Sequence, residues 1–425
     1  MNRRSFLKTS LAMTVVPSLW AAADATAAAC EQAHAEIWRR FIDPHGVMID
    51  FAELDGSVSL PTPDECRAGK PNALGWWTPI ENGAMFNGMY MDAAVYRWQH
   101  SRAEADAAKA RRLLEGLLFL ASLSETPGFI ARGTGTDGAS HYAMGSDDQA
   151  LPWFYGLWRY LESGLATAAE RDRITAKLVE VAGVFLARGW AVPAEPPFGS
   201  RGHFGRFEFD SAPRLLFVCR LIHRITGDPA WENRYRKALA ERGGKENRSR
   251  LEICEQGMVF HYAPRHCWTS CTCVSALRSL WEMETEADVK AAFARGLQAS
   301  ADLALAGLPL AKQFPLDDPR VFSGDWRAPM LPLWKPQQTA KEAADLAGLQ
   351  IRELLKVSPR RGLETAFVRE PTASAWVVTL APDPAVLAER AAAVERVIAR
   401  YDYTRLFYSQ FFWVEGAWWR LRALA

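Results

Sequence analysis

Two clusters of polar residues stand at the mouths of aromatic-rich helical stretches: Glu81-Asn82-Gly83 before Met85 to Trp98, and Gly145-Ser146-Asp147-Asp148-Gln149 before Trp153 to Tyr160. Carboxylates at helix starts meet favourable amide dipoles, and Trp and Tyr faces offer flat apolar surfaces on which sugar rings stack. Together they predict a carbohydrate-processing pocket. Adjacent carboxylates repel when both ionise, so one member of Asp147-Asp148 can be held protonated near neutral pH and act as a general acid or base. The competing reading is helix capping by Ser146 or Asp147, which needs no chemistry. Glu81 sits at the comparable point one helix pair earlier and is the candidate second carboxylate, with Asn82 and Gln149 as sugar-hydroxyl ligands.

Further clusters precede later helices. Arg201-Gly202-His203-Phe204-Gly205-Arg206 places two guanidinium groups and an imidazole between glycines, a set suited to holding a uronate carboxylate. An ordinary surface loop would look the same. His141-Tyr142, His261-Tyr262 and Arg265-His266-Cys267-Trp268 supply His and Tyr, the base and acid that a β-eliminating polysaccharide lyase requires. Trp153 and Trp268 are the candidate stacking platforms. Asp92 lies on an apolar helix and needs a partner such as Arg97, which points to a structural role. The chain has seven cysteines, and Cys267-x3-Cys271-x-Cys273 lacks the paired spacing of a zinc site. Free buried thiols or one disulfide are expected, with no metal and no cofactor. Phosphate-cradling loops, nucleophile elbows and His-Glu-x-x-His are missing from the sequence.

The elements that must carry these groups are helices. Apolar positions recur with helical spacing over 31–42, 83–98, 103–123, 148–163, 168–188, 210–226, 230–241, 268–283, 286–306, 338–356, 384–400 and 403–422. Eight of these form four pairs. In each pair a helix with aromatics on several faces (83–98, 148–163, 210–226, 268–283) is followed by an Ala-, Glu- and Arg-rich helix with one apolar stripe. A helix apolar all round must be covered on all sides, whereas one with a polar face can sit outside. An all-α (α/α)6 toroid follows, with an open α-solenoid as the alternative. The Pro-rich stretch 308–336, with Trp326 and Trp334, interrupts the pairing and is expected to form a lid or a wall.

Residues 1–29 read as a twin-arginine export signal: Arg3-Arg4-Ser5-Phe6-Leu7-Lys8, an uncharged stretch, then small residues to Ala29. The expected partner is the twin-arginine export machinery, and the expected location is periplasmic or secreted. Cleavage near Ala29 is favoured over lipid attachment at Cys30. Residues 30–425 carry no linker and are expected to form a single toroid domain. The net charge of +1 gives no electrostatic case for nucleic acid, and the mature chain has no transmembrane segment.

Asn82-Gly83-Ala84-Met85-Phe86 running into Tyr96-Arg97-Trp98, then Pro127-Gly128-Phe129-Ile130, then Ser146-Asp147-Asp148-Gln149, resembles the unsaturated glucuronyl hydrolases and rhamnogalacturonyl hydrolases over residues 75 to 240. The resemblance implies an (α/α)6 toroid that hydrates an unsaturated uronic acid, with Asp148 or Asp147 matching the proton donor. The second Asp of that family is absent, its place falling near Glu81-Asn82. The expected function is therefore an exported glycoside hydrolase acting on uronate-containing oligosaccharide or polysaccharide. A polysaccharide lyase and a non-catalytic glycan- or protein-binding toroid are the alternatives.

Overall fold

The structure is a computed structural model that describes residues 16–260 and 265–423. The Arg3-Arg4 signal and the His261-Tyr262 pair lie outside the described residues.

Among the described residues six helices form an inner layer: Gly83–Ser101, Asp147–Glu162, Ala212–Thr226, Trp268–Met283, Glu370–Val378 and Trp413–Arg422. They are called the first to sixth inner helices below. Each packs on the next, and the sixth packs back on the first. The ring is therefore closed, which overturns the open solenoid. Between successive inner helices lie the outer ones, Glu104–Leu120, Ala168–Ala187, Pro229–Ala240, Ala287–Ala304 and Pro384–Ile398, with Val16–Glu36 covering the sixth. The chain is an all-α (α/α)6 toroid. Because the chain alternates between layers, the inner helices all start at the same end of the ring.

The inner layer is apolar where it must be covered. On the second inner helix Leu151, Trp153, Phe154, Leu157 and Tyr160 are all buried, and on the third Leu216, Phe217, Val218, Leu221 and Ile222 are. Burial of each such side chain contributes about 1.5–3 kcal/mol before chain entropy is charged against it. The first and second inner helices approach most closely, at Gly88 and Gly156. A Cβ at Gly88 would stand 2.0 Å from the Pro152 carbonyl oxygen, and one at Gly156 would stand 2.7 Å from the Gly88 Cα. Gly88→Ala is accordingly expected to force the two helices apart and cost at least about 1–3 kcal/mol, read as a lowered Tm. An unchanged melting curve would show that the contact is not close in solution.

The opposite end of the ring is tied by charge. Asp92 on the first inner helix is fully buried and meets Arg420 of the sixth (Oδ2 to Nε, 2.8 Å) and Arg159 of the second (Oδ1 to Nε, 2.9 Å). Its partners are these and not Arg97. Arg97 instead reaches Glu31, Asp106 and the buried Glu415, which also accepts from Tyr90 (2.6 Å) and binds His34 (2.9 Å).

Several sequence expectations need correction. The helix expected over 403–422 begins only at Trp413: residues 403–412 run through two 3-10 turns and an extended piece, where Tyr408 bridges Phe51. The fifth inner helix was not foreseen. It is led in by Arg360–Glu364 and a wide π turn at Thr365–Arg369, and Pro371 near its start reads in sequence as a breaker. The Val16–Glu36 helix runs through Cys30, which is fully buried. Stretch 308–336, expected as a lid or a wall, contributes no residue to the lining of the cavity described below. The Trp326 and Trp334 indoles donate to the Ser59 and Gly69 carbonyls (2.8 and 3.0 Å), bracing the segment that leads to Trp76. All seven cysteines are free and buried. No helix among the described residues is long and apolar enough to cross a membrane.

Candidate active site

A cavity of about 610 Å³ opens where the six inner helices start, within the roughly 300–1,000 Å³ range of small-molecule sites. Every inner helix or the turn leading into it contributes: Glu81 and Asn82 at the first, Ser146, Asp147 and Asp148 at the second, Asp210 and Arg214 at the third, His266 and Trp268 at the fourth, Thr365 and Arg369 at the fifth, Tyr408 and Gln410 at the sixth. Trp76, Trp77, Arg132, Arg201, Arg206 and Glu208 complete the wall.

The capping reading of Ser146 fails. Its side chain makes no capping hydrogen bond; the hydroxyl donates to the Asp148 carboxylate and accepts from Arg132 Nη2 (2.7 Å). Arg132 is buried, and its other donors reach the Met144 and Glu81 carbonyls (3.0 and 2.9 Å), so one guanidinium stitches the first two helix mouths together. Burial pushes the Asp148 carboxyl up. Arg132, the Ser146 hydroxyl, Arg214 and Arg201 outweigh it and hold the group below the usual carboxylate range. This shift favours an ionised role for Asp148 over the proton-donor role read from the sequence. Asp147 binds Arg214 (Oδ2 to Nη1, 2.6 Å) and accepts from the Asp148 amide (3.1 Å). The two adjacent carboxylates point into separate partners and do not share a proton.

Glu81 is shifted the other way. Burial raises its pKa above the usual value, although the Trp77 N–H (2.8 Å to Oε2) and Arg132 pull the other way. Asp50, which carries no local signal in the sequence, lies behind it. It is buried, accepts from the Asn82 N–H and side-chain amide (2.7 and 2.6 Å), and is pushed well above the carboxylate range by burial and by the charge of Glu81. A site with Asp148 held down and Glu81 held up predicts a bell-shaped kcat/KM profile. Activity should rise as Asp148 ionises, below the usual Asp value near pH 4, and fall as Glu81 ionises, above the usual Glu value. A rate still climbing through that upper window would contradict the assignment.

The aromatic platforms are Trp76, Trp77 and Trp268. Trp77 is held at φ 70°, a left-handed conformation that costs a bulky residue on the order of 1–3 kcal/mol and that marks functional sites. Its indole donates to the Ala347 carbonyl (3.1 Å) of the Ala340–Val357 helix. Trp268 lies edge-on to Phe86 and carries the Arg369 guanidinium 4.7 Å over its ring. Arg369 is paired with Glu370, whose other oxygen accepts from the Cys267 and Trp268 amides at the start of the fourth inner helix (2.9 and 3.3 Å).

Arg201 differs from its neighbours. It sits on the short hairpin of Ala191–Pro193 with Ser200–His203, 5.9 Å from the Trp76 ring, with no carboxylate partner among the described residues and a buried Nε without a hydrogen bond. Gly202, at φ 91°, presses this hairpin onto Asp147: a Cβ there would meet the Asp147 Cγ at 2.5 Å. Arg206 also lines the cavity, exposed and 3.5 Å from Glu208.

Other sequence candidates lie elsewhere. Trp153 is fully buried and donates to the Leu117 carbonyl (2.8 Å), so it is core and not a stacking platform. Tyr142 is buried against Cys66 and Ile80, with its hydroxyl on the Lys70 carbonyl (2.6 Å). His141 is held by the Ala139 carbonyl and Glu195 (3.0 and 3.2 Å), staples its loop and does not line the cavity. His203 also stays out of the cavity lining: its Nδ1 accepts from the Gly205 amide (2.8 Å) within the turn. Gln149 is buried between helix mouths, bonded to Asn82 (2.9 Å) and the Met85 amide (3.0 Å), and acts on the site only through Asn82. His261 and Tyr262 lie outside the described residues.

Sequence reasoning missed Trp76-Trp77, Arg132, Arg214, Arg369, Tyr408 and Gln410. The tandem tryptophans just ahead of Glu81 were the one local signal available. Arg369 was hidden with its helix, and Tyr408 and Gln410 fell in a stretch read as helix.

No family model matches the chain, and no curated protein does. Among solved structures, the chain is similar to a glycoside hydrolase family 76 mannosidase from Bacteroides thetaiotaomicron VPI-5482, at 11% identity and a TM-score of 0.44, covering 95% of this chain and 98% of that one.

Proposed function

We propose that the protein is a glycoside hydrolase acting on uronate-containing oligosaccharides. One observation carries the reading: two carboxyls shifted in opposite directions, Glu81 raised by burial and Asp148 lowered by its arginines, line the same tryptophan-walled cavity. Glu81 gives its proton to the glycosidic oxygen as the bond to the anomeric carbon breaks. Asp148, supported by Arg132, faces the positive charge that develops on the ring; water supplies the hydroxyl of the new reducing end, and its remaining proton restores Glu81. Asp147 fixes Arg214 and the Arg201 hairpin. The same proton donor would serve an enol-ether double bond, so unsaturated uronates fall within this proposal.

Arg201 is the group assigned to the substrate carboxylate: of the lining arginines named above it and Arg132 make no ion pair among the described residues, and the Arg132 donors are taken by carbonyls and the Ser146 hydroxyl, whereas Arg201 lies near Trp76 with its Nε unbonded. Arg201→Gln is expected to raise KM for an acidic oligosaccharide roughly 10–100-fold, the worth of one charge-assisted contact, with little change in kcat. Equal effects on an acidic substrate and its carboxyl-reduced counterpart would remove the uronate assignment. The lyase alternative has lost one of its two His-Tyr pairs, because His141 and Tyr142 do not line the cavity. The binding-only alternative expected Asp147 and Asp148 on a simple surface cap, whereas both line the cavity. The Arg3-Arg4 start supports a periplasmic or extracellular working place and the twin-arginine machinery as the export partner.

A further inference from the structure

The order of the ring sets which groups face each other across the cavity. With six inner helices in cyclic order, the third lies across from the sixth. The hairpin carrying Arg201 leads into the third and the segment carrying Tyr408 and Gln410 leads into the sixth, so these face each other, with the Glu81 and Asp148 mouths together on one side between them.

The 408–410 segment is firmly held. Tyr408 bridges Phe51, its backbone N–H donates to Glu364 (2.9 Å), and the Ser409 N–H donates to the Asp50 carbonyl (2.9 Å). The Tyr408 hydroxyl oxygen accepts from Arg361 (2.7 Å), which leaves its proton to be donated elsewhere. Gln410 is 5% exposed and lines the cavity, yet its Oε1 is buried with no hydrogen-bond partner. A buried acceptor left without a donor costs on the order of 1–3 kcal/mol, and in a rigid wall such an atom marks a place where a ligand donor belongs. Carboxylates carry no donor at neutral pH. Sugar hydroxyls do, and each can give one hydrogen bond and accept another.

We propose that Tyr408 and Gln410 form a second subsite that reads hydroxyl groups of a neutral sugar ring, across the cavity from the arginine hairpin. Resting on the glycosidase reading, this makes the substrate a mixed oligosaccharide in which a uronate and a neutral sugar flank the bond presented to Glu81 and Asp148. Gln410 supplies the acceptor and Tyr408 the donor.

The test is saturation-transfer NMR on the full chain with D-glucuronate and, separately, with methyl glycosides of glucose, galactose, mannose and xylose. At least one neutral glycoside should bind. Gln410→Leu should weaken it about tenfold, the worth of one hydrogen bond, and leave glucuronate unchanged, which also reports that the variant folds. Gln410→Glu keeps the acceptor oxygen and should retain the glycoside, Tyr408→Phe should weaken it, and Arg201→Gln should show the reverse pattern. Two results overturn the subsite: no neutral glycoside binds the wild type, or Gln410→Leu retains glucuronate and binds the glycoside as the wild type does. If glucuronate alone fails to bind while the neutral glycoside depends on Gln410, the uronate assignment falls and the subsite stands.

Discussion

Asp148→Asn should lower kcat by about 10²–10⁴-fold while the protein stays folded. The amide keeps an oxygen for the Ser146 hydroxyl and preserves the shape of the helix mouth, but it removes the negative charge that Arg132, Arg214 and Arg201 are arranged to hold. The loss is therefore chemical rather than structural, and KM should move little by comparison. Glu81→Gln should behave differently. It removes the proton donor, so the defect should be large for sugar leaving groups and small for an aryl leaving group that departs without protonation. Steady-state kinetics on both substrate types separates the roles. Turnover by Asp148→Asn within a few-fold of wild type would end the assignment of that carboxylate.

Asp92→Ala should be the most damaging substitution outside the cavity, costing about 3–5 kcal/mol, because it leaves two buried guanidinium groups with only Glu282, 3.5 Å from Arg159, as counter-charge among the described residues. Such a loss is a large share of the stability of a typical domain. The same group makes stability depend on acid. Burial pushes the Asp92 carboxyl up, but Arg420 and Arg159 outweigh it and hold it below its usual value. A carboxyl depressed in the folded state contributes stability that is present above its unfolded value, near pH 4 for Asp, and lost as pH falls through the folded value. Glu415, held down to about 2 against its own burial chiefly by His34 and Arg97, adds to the same loss. Urea melts should give a wild-type midpoint that drops below about pH 4. Asp92→Ala should start lower and fall less steeply over that range. An Asp92→Ala protein as stable as wild type at pH 7 would show that the triad does not close the ring.

Most of the helical layer was legible because its physical signal is local. The first four inner and outer pairs announce themselves by alternating all-apolar and one-striped helices, and the expected bounds for 168–188 and 268–283 fall within a residue of those observed. The fifth inner helix was not legible, since Pro371 and a π turn interrupt the periodic pattern that the surrounding helices sustain by packing. The site was half legible for a similar reason. Residues at helix starts, such as Glu81 and Asp148, follow from the helices themselves. His141 and Trp153 lie in the same stretch of sequence, but one is bonded within its loop and the other points into the core. Asp50 and Gln410 come from irregular segments that only the closed ring brings together, Gln410 into the cavity lining and Asp50 behind Glu81. That Asp148 is held down depends on Arg132, Arg201 and Arg214, three residues distant in sequence.

The central claim is hydrolysis of a uronate-bearing glycoside by the Glu81 and Asp148 pair. The most direct measurement incubates the mature protein with uronate-containing oligosaccharides and their unsaturated forms, following reducing sugar together with absorbance near ~235 nm, the signature of a conjugated uronate made by β-elimination. The expected result is new reducing ends with no gain in absorbance on saturated substrates, accompanied by loss of absorbance if unsaturated forms are used. Gain of absorbance would establish a lyase, and no change on any acidic substrate, with reducing ends released from neutral ones, would contradict the uronate reading outright.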